Sequence, residues 1–170
     1  MTVLATVVNG CAVSPFAGDD EETCSSEFDP RAAGEPLGSS NRFLHVSAAA
    51  GATPGLTTTL AELTAQAGWA QSYDQMIKQF DGMSDPEINE LAGTGTICWQ
   101  VPHGAPDVGA TGSYIFLKAR KPVQAVRWDA AGDRDPISLL DTPGGINPDT
   151  ALTSRPGVNP RLVVAAPIEG

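Results

Sequence analysis

Apolar positions follow two different periods along the chain, and the change of period divides it. Residues 42–51, RFLHVSAAAG, read as the start of a first strand. Leu56, Leu60, Leu63 and Ala67 then fall at i, i+4, i+7 and i+11, one stripe of a helix that Gly68 stops or bends. Trp69, Tyr73, Met76 and Phe80 repeat that spacing and predict a second helix with an aromatic face. Such a face either lines a ligand groove or packs in the core, and it reads as core. Ser84-Asp85-Pro86-Glu87 is a capping box opening a further helix, with Ile88 and Leu91 inward and Gly93 at its end.

Past Gly93 the period falls to two. Ile97, Trp99 and Val101 alternate with Thr96, Cys98 and Gln100, which predicts a strand with Cys98 and Trp99 on opposite faces. Residues 113–119 and 122–128 form a hairpin turning at Arg120-Lys121, with Pro122 at the start of its second strand. Leu162-Val163-Val164 supplies a last short strand, and turn residues dominate residues 141–160. Helices followed by strands predict an α+β fold, N-terminal helices packed on a small antiparallel sheet.

Composition adds a boundary. Hydrophobic residues make up 41% of 170, enough for a real core. Residues 1–41 carry seven acids and one base, and over residues 17–41 they show neither period. Such a stretch buries too little apolar area to offset its ordering entropy. The expected organisation is therefore a disordered acidic tether over residues 1–41 and one globular domain over residues 42–168. The net charge of −10 repels phosphate backbones and argues against nucleic-acid binding.

The first dozen residues bear on location. A short apolar run ends in Val8-Asn9-Gly10-Cys11, which resembles the lipobox of bacterial lipoproteins. The resemblance implies cleavage before Cys11 and a lipid on its sulfur, so that the chain touches a membrane only through that anchor. No Lys or Arg precedes Arg31, so the resemblance also implies a basic extension upstream of Met1. The alternative is a β-strand over residues 2–8 with Cys11 buried as a small hydrophobe. Residues 68–99 together with residues 112–128 resemble small exported proteins of actinobacteria, a likeness that implies no particular activity.

If Cys11 carries lipid, Cys24 and Cys98 remain as a disulfide pair in an oxidising compartment. Two free thiols and a Cys11–Cys24 bond are the alternatives. No pair has C-x-x-C spacing, and the chain has only two histidines, which argues against a structural zinc site.

Candidate chemistry is sparse. Lys118, Arg120, Lys121 and Arg127, with Trp128 beside them, form a basic patch at the hairpin. It is either a site for an anionic ligand or an acidic partner face, or charge that protects an edge strand. Asp129, Asp133 and Asp135 imitate a calcium loop, but Ala131, Arg134 and Leu140 stand where its third, sixth and twelfth positions need a ligand, a Gly and a Glu. They read as a solvated turn. His45, between Leu44 and Val46, reads as a packed core residue, and His103 lies in a loop. No G-x-S-x-G, H-E-x-x-H or phosphate-loop pattern occurs, and no cofactor is implied. The expected function is therefore that of an exported, lipid-anchored binding or accessory protein, meeting a protein partner or small ligand at the cell surface. A secreted hydrolase using His103 and an acidic cytosolic protein of the immunity type are the alternatives.

Overall fold

The computed structural model describes residues 24–70, 72–101, 111–131, 134–139, 142, 144–155 and 157–166. They form an α+β fold whose described elements include three helices and nine strands. The elements run β1 (Ser26–Phe28), α1 (Ser40–Gly51), β2 (Thr57–Thr59), α2 (Leu60–Gln66), β3 (Gln75–Phe80) and α3 (Asp85–Ala92). There follow β4 (Ile97–Trp99), β5 (Thr111–Lys118), β6 (Lys121–Asp129), β7 (Ile137–Ser138), β8 (Ala151–Arg155) and β9 (Arg161–Val164). The helices alternate with β1–β3 rather than preceding the strands as a block.

The centre is an antiparallel sheet in the order β3-β5-β6. Its register stacks Met76, Phe116 and Gln124 in one row and Lys78, Tyr114 and Val126 in the next, all on one face. Ile77, Ile115 and Ala125 lie on the other face. Both faces are covered. The first meets Phe43 of α1, Leu60 and Leu63 of α2, and Ile137, Leu152 and Leu162 of a four-stranded sheet ordered β2-β8-β9-β7. The second meets Ile88 and Ala92 of α3 and Ile97 and Trp99 of β4. A strand buried on both sides has no reason to alternate, and Tyr114 to Leu117 are all buried. Gly112 lies under the Trp128 indole, where a Cβ would collide with the ring and with the Gln79 carbonyl.

The capping box at α3 forms: the Glu87 carboxylate accepts from the Ser84 amide and hydroxyl, both at 2.7 Å. Gly93 closes that helix in the left-handed region at φ 61°. The final strand also lies where the pattern put it, as does the hairpin, except that its turn falls one residue earlier, at Ala119-Arg120, and Lys121 opens the second strand.

Three expectations are corrected. Residues 42–51 are helix α1, not a strand, with Ser39 as its N-cap and Phe43, Ser47 and Ala50 inward. The aromatic stripe is not a helix: Trp69 and Tyr73 precede β3, and Met76 and Phe80 belong to it, although three of these side chains are core as expected. The turn-rich segment contains β8.

Residues 24–41, assigned above to a tether, belong to the folded body. β1 pairs in parallel with β4, and Cys24 and Cys98 are joined by a disulfide with Cα atoms 5.5 Å apart. Leu37 is buried, and its amide donates to the Gln124 Oε1 of β6 at 2.9 Å. The disulfide indicates an oxidising, extracytoplasmic environment.

Candidate functional site

The hairpin between β5 and β6 closes in two residues, Ala119 and Arg120. Both have positive φ, 48° and 61°, as a two-residue turn matching the sheet's twist demands. Gly or Asn normally fills such positions, because a Cβ there costs about 1–2 kcal/mol. Asp74 holds the tip down. Its Oδ2 accepts from the Ala119 amide at 2.6 Å and its Oδ1 from Lys118 Nζ at 3.1 Å. The amide bond, and then the Lys118 ammonium, lower the Asp74 pKa below the ordinary carboxylate value.

Across from the tip lies β1, fixed by the disulfide and by two bonds from Ser25 to the Thr96 carbonyl, 2.7 Å from its amide and 3.0 Å from its hydroxyl. A cleft of about 550 Å³ separates them, lined by Ser26, Glu27 and Phe28 on one wall and by Arg120, Lys121 and Pro122 on the other. Arg120 and Lys121 are exposed. Glu27 is engaged by Gln100 Nε2 at 3.0 Å. Among the described residues, β1 pairs only with β4 and β6 only with β5. The cleft therefore combines two cations with two strands that have pairing capacity left.

The basic patch is divided by the structure. Lys118, Arg120 and Lys121 meet at the tip, but Arg127 faces Ser113 near the other end of β6. There its guanidinium grips both oxygens of Asp81, at 2.9 and 2.8 Å, and Thr111 donates to the same carboxylate at 2.6 Å. Arg127 and then Thr111 draw the Asp81 pKa down to about 2, against an opposing effect of burial. Because the folded value lies below the usual 3.8, Asp81 contributes stability above pH 4 that is lost as pH falls towards 2. Asp81→Asn is expected to flatten the acid limb in that window, read as urea midpoints from pH 5 to pH 2. An unchanged acid limb rules the account out. Trp128 is 1% exposed and thus part of the core, not of a surface patch.

A second constellation had no local signature. Lys78 on β3 is buried, and its Nζ lies 2.5 Å from Asp135 Oδ1 and 3.1 Å from the Ile137 carbonyl. The ammonium sits 4.4 Å from the Trp128 ring centroid, with Phe80 and Tyr114 as further walls. Tyr114 Oη lies 2.6 Å from the same Asp135 oxygen and accepts from the Ile137 amide at 3.0 Å. Burial lowers the Lys78 pKa, and the carboxylate opposes that shift. The Lys78 donors are engaged and its side chain is 4% exposed, so it is no accessible nucleophile. Its effect is to fasten Asp135 and the start of β7 to the central sheet.

Asp135 is accordingly not in a solvated turn, and one of its oxygens is taken by Lys78 and Tyr114. Asp129 Oδ1 accepts from the Ala131 amide at 2.9 Å. Among the described residues no group of three or more His, Cys, Asp or Glu side chains is placed to hold a metal ion. His45 is exposed on α1 rather than packed in the core. Cys11, His103 and Asp133 lie outside the described residues, and no described helix is long and apolar enough to cross a membrane. Compared with known protein families, with curated proteins and with solved structures, the chain matches none.

Proposed function

We propose that the chain is an exported binding domain, anchored by lipid at Cys11, whose cleft at the β5–β6 tip captures an extended acidic segment of a partner protein. The observation that carries the reading is the tip itself. A non-glycine pair is held in the left-handed region, with Arg120 placed where glycine costs less. Strain of that kind, kept in place by Asp74, is characteristic of positions selected for what they bind. An extended segment lying between β1 and β6 gains main-chain pairing from strands with unused capacity. Its carboxylates meet Arg120 and Lys121. The disulfide supports an extracytoplasmic location, and the lipobox-like residues support the anchor.

Fluorescence polarisation of a labelled oligoglutamate peptide at low salt tests the cleft. Saturable binding is expected, weakened about tenfold or more by Arg120→Glu with Lys121→Glu. Arg120→Gly separates binding from folding. It suits the left-handed backbone, so it should raise stability by about 1 kcal/mol while weakening the peptide. No binding by the natural chain, or equal binding by the variants, overturns the cleft reading. The mass of the mature N-terminus tests the anchor, and an unmodified Cys11 overturns it.

A further inference from the structure

β8 and β9 form a hairpin in which Arg155 stands directly opposite Arg161. Side chains at directly opposed antiparallel positions share a face, with Cβ atoms about 5 Å apart. Like charges so placed repel. Arg155 is exposed and makes no ion pair among the described residues. Arg161 has one, a long 3.5 Å contact with Asp135 Oδ2. The other oxygen of Asp135 is the one held by Lys78 and Tyr114, so most of the Arg161 donors stay available.

The surroundings are those of a site. Thr57, Thr153, Val163 and Ser138 form one row across the four strands, and the arginine pair continues the same face. A groove of about 260 Å³ on this face is lined by Ser138, Arg155, Asn159 and Arg161, with Val158 at its rim. Among the described residues, Val158 is the large hydrophobic side chain left fully exposed, at 100%. Two guanidinium forks carry more N–H donors than the two oxygens of a carboxylate accept, whereas a phosphate group offers several oxygens in different directions. The Ser138 hydroxyl and the Asn159 amide add neutral donors.

We propose that Arg155 and Arg161, with Ser138 and Asn159, bind a phosphate group, carried either by a soluble phosphate ester or by an anionic phospholipid headgroup. The site lies on a different sheet from the tip cleft and stands independently of it. A lipid source gives Val158 a role, since an exposed aliphatic side chain between two cations enters the interface as the cations meet the headgroups.

Two arms of one experiment separate the sources. In the first, amide shifts of the natural chain are followed by nuclear magnetic resonance while inorganic phosphate replaces chloride at constant ionic strength. In the second, flotation of Cys11→Ser, which cannot carry the anchor, is measured with vesicles of phosphatidylcholine alone and of equal parts phosphatidylcholine and phosphatidylglycerol. Saturable shifts at Arg155, Asn159 and Arg161, weakened about tenfold or more by Arg155→Gln, support the site. Flotation that needs phosphatidylglycerol and falls with both Arg155→Gln and Val158→Asp assigns it to lipid. Phosphate binding without flotation assigns it to a soluble ester. Both substitutions are on the surface, so the variants fold. Phosphate shifts that chloride reproduces, together with no lipid-dependent flotation, overturn the proposal, as does binding that Arg155→Gln leaves unchanged.

Discussion

Asp135→Ala is expected to lower the unfolding free energy by about 3–5 kcal/mol, a large fraction of what a domain of this size possesses. The substitution leaves the Lys78 ammonium buried at 4% exposure without its counter-ion, and strips Tyr114 and Arg161 of an acceptor. What is lost is compensation for a buried charge, rather than one favourable contact. Replacing both partners, as Lys78→Met with Asp135→Leu, is expected to recover most of the loss. Methionine keeps contact with the Trp128 ring, and the Tyr114 hydroxyl still has the Ile137 carbonyl at 2.9 Å. Denaturant midpoints at constant slope measure both effects. A single-variant cost under about 1 kcal/mol, or a double variant no better than the single one, refutes the assignment.

The pH response supplies a second readout. In Asp135→Asn the Lys78 pKa falls further below its ordinary value of 10.5 in the folded chain. The unfolded chain then binds more protons than the folded one between those two values. Stability therefore rises with pH across that window and is lost as pH falls through it, more steeply than in the natural chain.

Cys24→Ser, or reduction of the natural chain, is expected to cost about 4 kcal/mol. The bond joins residues 74 positions apart, and closing a loop of that length removes about this much free energy from the unfolded chain's advantage. For a domain of this size that corresponds to a melting midpoint lower by roughly 10–15 °C. The loss should concentrate where the bond acts. β1 has three residues and one pairing partner, so hydrogen exchange at residues 25–28 should accelerate far more than at β5. Equal melting midpoints with and without reductant contradict this.

The sequence displayed some of these elements and hid others for identifiable reasons. α3 was legible because its start and stop signals are local: a Ser84–Glu87 box and a glycine at the end. The β5–β6 hairpin was legible from its apolar runs and its two-residue break. α1 was hidden because two of its inward positions are Ser47 and Ala50, small residues that form no conspicuous stripe. β3 was misread because Met76, Ile77, Lys78 and Gln79 are all buried, leaving no alternation. The helical spacing of Trp69, Tyr73, Met76 and Phe80 arose from a loop running into a strand. β8 was concealed by its polar character, with Leu152 its one large apolar side chain.

The tip of the candidate cleft could be found from the charges of Arg120 and Lys121, but β1 as its far wall could not. β1 is a strand only because Cys98 and its neighbours lie alongside. The Lys78–Asp135 pair had no signal at all, since 57 positions separate the two residues and nothing local links them. Arg155 and Arg161 become a pair only through the β8–β9 register.

The Cys24–Cys98 bond also decides how the molecule carries a mechanical load. Tension applied at residue 24 and at the C-terminal side passes through sulfur directly into β4, bypassing everything from Ser25 to Ile97. Helices α1, α2 and α3 and strand β3 all lie inside that bypass. Pulled from residue 24 and from its C-terminal side, the domain can pay out only the chain beyond residue 98, and the enclosed part behaves as an inextensible loop.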